Sequence, residues 1–247
     1  MNKFHLSLPG ILVIILIACL MPHTSISAGS MPAVSIITPG DGSVLTSPIH
    51  LTVALNHEIG SLVRIALINE NNFTIARQLL RIDQAEEGLT QFETDIFFEI
   101  PIDTTEALLT VSILDDNHRL QSLRSVTLKL ATKGQSTVQA HISNEPWLVI
   151  DEPKPMETLA GGQIKVSGTI NPVNDNPIRF DLIKPSGAVI GTLQILVTNP
   201  GEAIFFNSTL PYAFITESTD VRLVIRQMSE EFATDVILDS VPVYLVP

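Results

Sequence analysis

From Val34 onward the chain is written in short alternating runs. Leu51, Val53 and Leu55 alternate with Thr52 and Ala54, Leu109, Val111 and Ile113 with Thr110 and Ser112, and Val126, Leu128 and Leu130 with Thr127 and Lys129. Successive side chains of an extended backbone point to opposite sides, so each apolar set lines one face of a strand. Between the runs stand turn-forming clusters: Pro39-Gly40-Asp41-Gly42, Asn69-Glu70-Asn71-Asn72 and Asp115-Asp116-Asn117. Short strands punctuated by turns every ten residues or so predict an all-β sandwich or barrel. Thr74 to Ile82 alone fits a helix and a strand equally well.

The second half repeats the rhythm of the first. Pro39 followed by Leu51/Val53/Leu55 is echoed by Pro153 followed by Ile164/Val166/Gly168, and Arg64-Ile65-Ala66-Leu67 by Arg179-Phe180-Asp181-Leu182. Ile100-Pro101 is echoed by Leu210-Pro211, Leu109/Val111/Ile113 by Val221/Leu223/Ile225, and Val126/Leu128/Leu130 by Val241/Val243/Leu245. The offset stays between 110 and 115 residues while the order of features is kept, which predicts two copies of one supersecondary plan. Two copies of about 100 residues suit two β-sandwiches of about seven strands each, and the immunoglobulin-like type is the prior among sandwiches. The expected layout is a leader, a first sandwich over residues 33–132, a linker over 133–144 and a second sandwich over 145–247. The linker segment also partly alternates from Thr137 to Ile142, so it reads alternatively as the last strand of the first sandwich running on.

The N-terminus reads differently. Met1 to His5 carries Lys3, an apolar run follows from Ile11 to Met21, and Pro22 opens a small polar stretch to Ser30. That order is the order of an export signal, and the run is short for a bilayer span of about 20 residues. Two cleavage points are open. One follows Ala28, giving a signal peptide over 1–28. The other precedes Cys19, because Leu16-Ile17-Ala18-Cys19 is similar to a bacterial lipobox, giving a lipoprotein signal over 1–18 and making Cys19 the lipidation candidate. Either way the chain is expected to be exported, secreted or held at the cell envelope.

Within the second half, Val149-Ile150 leads into Pro153, Ile164-Lys165-Val166-Ser167-Gly168 follows, and then Phe180-Asp181-Leu182 before Gly187-Ala188-Val189. With the closing run Val241-Pro242-Val243-Tyr244-Leu245, this stretch resembles the immunoglobulin-like domain of bacterial spore-germination and related envelope proteins. The marks are a strand entered through a proline, a glycine where a strand bends or is closely approached, and a glycine hairpin turn. The first half diverges: Leu55 stands at the place given to Gly168, and Asn72 stands near that of Gly187, where asparagine tolerates a left-handed turn. The resemblance implies a non-catalytic envelope or surface module and brings no catalytic residues with it.

Charge and chemistry narrow the reading. The first eighteen residues hold one Lys and no acid, so the remainder carries 13 bases against 26 acids. No basic stripe suited to nucleic acid is expected, and an anionic membrane would repel the sandwiches, leaving a lipid at Cys19 as the membrane link. Cys19 is the one cysteine, so neither an internal disulfide nor a Cys-based zinc site is available. His5, His23, His50, His57, His118 and His141 show no metal-ligand spacing, and no Gly-x-Ser-x-Gly elbow presents a nucleophile.

Acid pairs occur at Asp115-Asp116, Asp151-Glu152 and Glu230-Glu231. Asp151-Glu152, near the junction, is a calcium candidate only with further oxygen donors, Asn144 and Glu145 being the obvious neighbours. Trp147 reads as an anchor packed between the sandwiches, and Phe92, Phe97, Phe98, Phe205 and Phe206 as core fillers. Gly161-Gly162 lacks the ending of a phosphate loop, and Asn72-Phe73-Thr74 and Asn207-Ser208-Thr209 are glycosylation sequons that matter in a eukaryotic source.

No catalytic residue, metal site or cofactor is therefore expected. The sequence predicts a binding or scaffold module of a bacterial envelope with a protein or envelope component as partner. A periplasmic pilus-type chaperone, also built from two immunoglobulin-like domains, is the alternative, and an enzyme with an unrecognised site ranks below both.

Overall fold

The computed structural model describes residues 33–56, 62–82, 89–140 and 146–247. Sixteen strands and no helix occur among them. In the first half these are β1 (Val34–Thr38), β2 (Ser43–Leu45), β3 (Ile49–Asn56), β4 (Leu62–Asn69), β5 (Thr74–Arg81), β6 (Leu89–Ile96), β7 (Thr104–Leu114) and β8 (Leu120–Ala131). The second half supplies β9 (Leu148–Glu152), β10 (Glu157–Leu159), β11 (Gln163–Ile170), β12 (Ile178–Ile183), β13 (Val189–Ile195), β14 (Ile204–Pro211), β15 (Thr219–Ser229) and β16 (Thr234–Leu245). The ambiguous stretch from Thr74 is thus a strand, paired antiparallel with β4.

Each half is an immunoglobulin-like sandwich, and the two share one topology. A three-stranded sheet, β1-β3-β6 in the first half and β14-β11-β9 in the second, faces a larger sheet running β5-β4-β7-β8 or β13-β12-β15-β16. A short strand switches sheets to pair parallel with the last one: β2 with Leu128–Leu130 of β8, and β10 with Val243–Leu245 of β16. The alternating residues fill two cores. One gathers Val34, Leu51, Val53, Leu109, Val111, Val126 and Leu128 with their neighbours; the other gathers Ile164, Val166, Phe180, Leu182, Leu223 and Val243 with theirs. Phe180 and Phe206 meet edge-to-face in the second, centroids 5.2 Å apart.

Strand pairing corrects the register of the sequence echo. Leu67 faces Leu109 and Leu109 faces Val126, while Leu182 faces Leu223 and Leu223 faces Val241. Leu109 therefore corresponds to Leu223, not Val221. By the same pairing Leu210, opposite Ile164, corresponds to Ile96, opposite Ile49, and not to Ile100. Gly168 lies opposite Ile150 as Val53 lies opposite Ile36, so its counterpart is Val53 rather than Leu55. With the register corrected the offset is almost constant. A slip of two residues keeps the same face of a strand inward, so alternation by itself could not expose it. The turns agree with the corrected register: Gly42 and Met156, Asn72 and Gly187, and His118 and Ala233 are three pairs of left-handed residues at equivalent turn positions.

Residues 133–144 do not form a free linker throughout. Thr137 exchanges both backbone hydrogen bonds with Val44, at 2.9 and 2.7 Å, and the Gly40 amide donates to the Gln139 carbonyl at 3.0 Å. The fully buried Ser43 hydroxyl takes the Gln139 amide at 2.9 Å and donates to the Gly40 carbonyl. The far edge of the three-residue strand β2 would otherwise be unpaired, and the segment after β8 fills it.

Candidate functional site

The sandwiches do not hang end to end. Their large sheets join through β8 and β16, which pair antiparallel with Leu123 opposite Leu238 and Ser122 opposite Asp239, giving one ten-stranded sheet. Because β2 covers only the C-terminal part of β8 and β10 only that of β16, each strand keeps an unpaired N-terminal edge that the other closes. Val243 corresponds to Leu128, an offset of 115 that also relates Leu238 to Leu123. A residue lying opposite its own repeat equivalent is what a two-fold axis produces, so the junction is an internal counterpart of an isologous dimer interface.

The junction has an apolar side and an ionic side. On one face Leu123, Val224 and Leu238 are buried together, with Leu120 and Ile183 against them. On the other, Arg124 donates to Asp239 Oδ2 at 2.6 Å and to the Leu123 and Leu238 carbonyls at 2.8 and 3.1 Å. Ser122 donates to Asp239 Oδ1 at 2.6 Å, and Ser125 and Ser240 donate to the Val236 and Gln121 carbonyls. The Trp147 ring, 5 % exposed, has the Arg124 guanidinium 5.7 Å from its centroid, a cation–π arrangement. Two of the three hydrogen bonds that Arg124 makes thus cross the boundary.

Each last hairpin also crosses to the other sandwich. Asp115, in the β7–β8 turn, takes Arg119 Nε at 2.7 Å and lies 3.9 Å from Arg222 Nη1 of β15. Partial burial pushes the Asp115 carboxyl up, but the Arg119 hydrogen bonds and the Arg119 and Arg222 charges outweigh it and hold it below the usual carboxylate range. In the β15–β16 turn Phe232 is 1 % exposed and packs in the core cluster that takes in Leu108 of β7. The neighbouring Glu231 carboxyl is pushed above its ordinary value by a hydrogen bond with Glu106, by burial and by the Glu106 and Glu70 charges.

A second polar cluster lies on the outer face of the second sandwich. Asp181, with no solvent exposure, accepts from Arg179 Nε at 2.9 Å, Thr192 Oγ1 at 2.7 Å and Arg226 Nη2 at 2.7 Å. Burial raises the Asp235 carboxyl against the opposing charge of Arg226. The sequence marked Asp181 only as an echo of Ala66 and as one residue of the stretch that carries the family resemblance; its period-two position outside the core was the available sign.

Comparison with known proteins identifies no relative: no family model and no curated protein matches the chain. Solved structures with weak likeness include a Salmonella enterica SafA pilin in complex with the SafB chaperone, 14 % identical over 89 % of this chain and 99 % of that one, TM-score 0.30. Another is dimeric latent PorU from Porphyromonas gingivalis, 9 % identical over 87 % of this chain and 24 % of that one, TM-score 0.25. The fold assignment rests on the chain's own strand pairing.

The residues singled out from sequence are scattered. His50 is exposed on β3 and bonds Asp95 across the strand pair at 2.5 Å; His118 is exposed at the β7–β8 tip. Neither bonds a Ser or Thr hydroxyl among the described residues. Glu152 is engaged by Lys165 Nζ at 2.7 Å, and that contact leads the causes lowering its carboxyl. Among the described residues no group of three or more His, Cys, Asp or Glu could hold a metal ion.

Gly161 and Gly162 form the turn into β11, and both sequon asparagines, Asn72 at a hairpin tip and Asn207 on β14, are exposed. Phe98 and Phe206 are buried and Phe92 packs against the first core, but Phe97 and Phe205 are 69 % and 83 % exposed, contrary to expectation. Adjacent residues on extended backbone face opposite ways, so only one of each pair can enter the core. Cys19, His5, His23, His57, His141, Asn144 and Glu145 lie outside the described residues.

Proposed function

We propose that the chain is a non-catalytic binding or scaffold module of an exported bacterial protein, working at the cell surface or envelope on a protein or envelope component. The observation that carries this reading is the β8–β16 junction. Tandem sandwiches joined by a bare linker move independently, whereas a shared sheet backed by a partly buried ion pair fixes the two sets of end loops and outer edges relative to one another. Rigid presentation of separated surfaces is what a spacer or a two-sided binding scaffold requires. The leader from Met1 to Ser30 supports export, with Cys19 as the anchor if cleavage precedes it. The chaperone alternative needs an open sheet edge for strand exchange; β8 and β16 occupy each other's, so exchange would fall to the outer edges. The outermost strands of the joined sheet are β5 and β13.

Expression of the full chain with its own N-terminus in a bacterium tests the proposal. The protein is expected outside the cytoplasm with an intact mass that starts at Gly29, or at Cys19 with added lipid. Crosslinking in cells is expected to yield a discrete adduct with another envelope component. An unprocessed cytoplasmic product, or an exported one that crosslinks to nothing, contradicts it.

A further inference from the structure

The joined sheet ends in two very different edges. On the first sandwich β5 carries Arg77 and Arg81, which its register with β4 puts on the sheet's outer face, and the neighbouring edge strand β6 carries Glu93 and Asp95. Charges on an edge keep it from pairing with another copy of itself. The equivalent strands of the second sandwich, β13 and β14, carry none, and between Lys184 and Glu217 the one charged residue is Glu202.

Among the described residues β13 pairs with β12 alone. Its first end is covered: the Ala213 amide donates to the Ile190 carbonyl at 2.7 Å, and the Pro211 carbonyl passes where a Gly191 side chain would stand. From Thr192 to Leu196 no strand among the described residues lies beside the edge. Thr192, Gln194 and Leu196 are exposed, Leu196 by 74 %. Leu193 and Ile195 point the other way and pack against the second core, yet they stay only partly buried. An uncharged strand thus offers backbone donors and acceptors and an incompletely covered apolar rim.

We propose that this edge is a dimer interface: β13 pairs antiparallel with β13 of a second copy, about a two-fold axis at Gln194, so that the joined sheet runs on through both chains. Directly opposed residues of an antiparallel pair share a face, and the axis sets one residue against its own copy. With Gln194, the middle of the open stretch, at the centre, Thr192 stands opposite Leu196 and Leu193 opposite Ile195 of the second copy. Leu196 loses its exposure, and the two partly covered rims close over each other.

Charge and the chain's own construction both select a second copy as the occupant. Each chain has a net charge of −12, so two copies meet with least repulsion along the stretch that has no charge. The sandwiches within one chain already join in this manner, through antiparallel pairing of equivalent strands. The arginines of β5 end the assembly at two chains, where an open edge on both sides would let a filament grow.

Sedimentation velocity on the chain as purified from the expressing bacterium tests the pairing independently of export and of any other envelope component. A reversible dimer is expected to build up with concentration. Like charges directly opposite each other weaken a cross-strand pair, so Q194E and Q194K are each expected to loosen the dimer by about fivefold at most, and their equimolar mixture to bind more tightly than either alone. Both positions being exposed, Q194E/L196E is expected to fold and to stay monomeric where the wild type dimerises. R77E, on the opposite edge, is expected to leave the dimer unchanged. A wild type that stays monomeric, a dimer indifferent to charge at Gln194, a mixture no tighter than its components, or a dimer that R77E breaks overturns the proposal.

Discussion

A Cβ placed on Gly168 would sit 2.0 Å from the Val149 carbonyl oxygen, with Phe206 also in contact. The register shifts between Ser167 and Gly168 at this point, so the backbone of β9 approaches where a side chain would stand. Substitution by alanine must displace main chain, and G168A is expected to cost more than about 3 kcal/mol or to prevent folding. Gly187 is a useful contrast: it has a positive φ but open space around it, so G187A is expected to cost about 1 kcal/mol. Urea unfolding of the two variants checks the order, and equal costs would contradict the close-approach account. The bend at Gly168 was legible from its place inside a strand pattern. Its counterpart was not, because Val53 carries a shift at the preceding strand, between Ile36 and Thr38, and needs no glycine.

At the scale of elements, alternation told which residues face a core and little about which edges meet. Leu123 and Leu238 carry the same apolar signal as their neighbours on β8 and β16, yet they join the sandwiches instead of filling either one. Arg124 and Asp239 break the apolar alternation at the place where the strands leave their own sandwich, and that interruption was the available clue. The Arg124 and Asp239 side chains are 12 % and 21 % exposed. Removing one partner strands the other charge in a poorly solvated site, so R124A is expected to lower stability by about 3 kcal/mol. Because Arg124 also lies over Trp147, the same variant is expected to change the emission of the sole tryptophan in the folded state. Unaltered stability and emission would mean that the ion pair is solvent-exposed in solution.

The whole molecule departs from the sequence picture chiefly in its shape. Two sandwiches, their order and their shared plan follow from turn spacing and repetition, but the sequence places a linker between them and gives no sign of a shared sheet. Pairing of the two last strands is a contact between residues 115 apart, and no local pattern encodes it. The candidate site was less legible still, since it is made of Ser122, Arg124 and Asp239, residues with ordinary strand or turn roles until the two halves meet. The most direct test is a nuclear Overhauser measurement on the deuterated, selectively labelled full chain between the backbone protons of Leu123 and Leu238. A cross-strand contact of the strength seen within β7–β8 is predicted. Its absence, with the contacts inside each sandwich intact, would contradict the fused sheet on which the account rests.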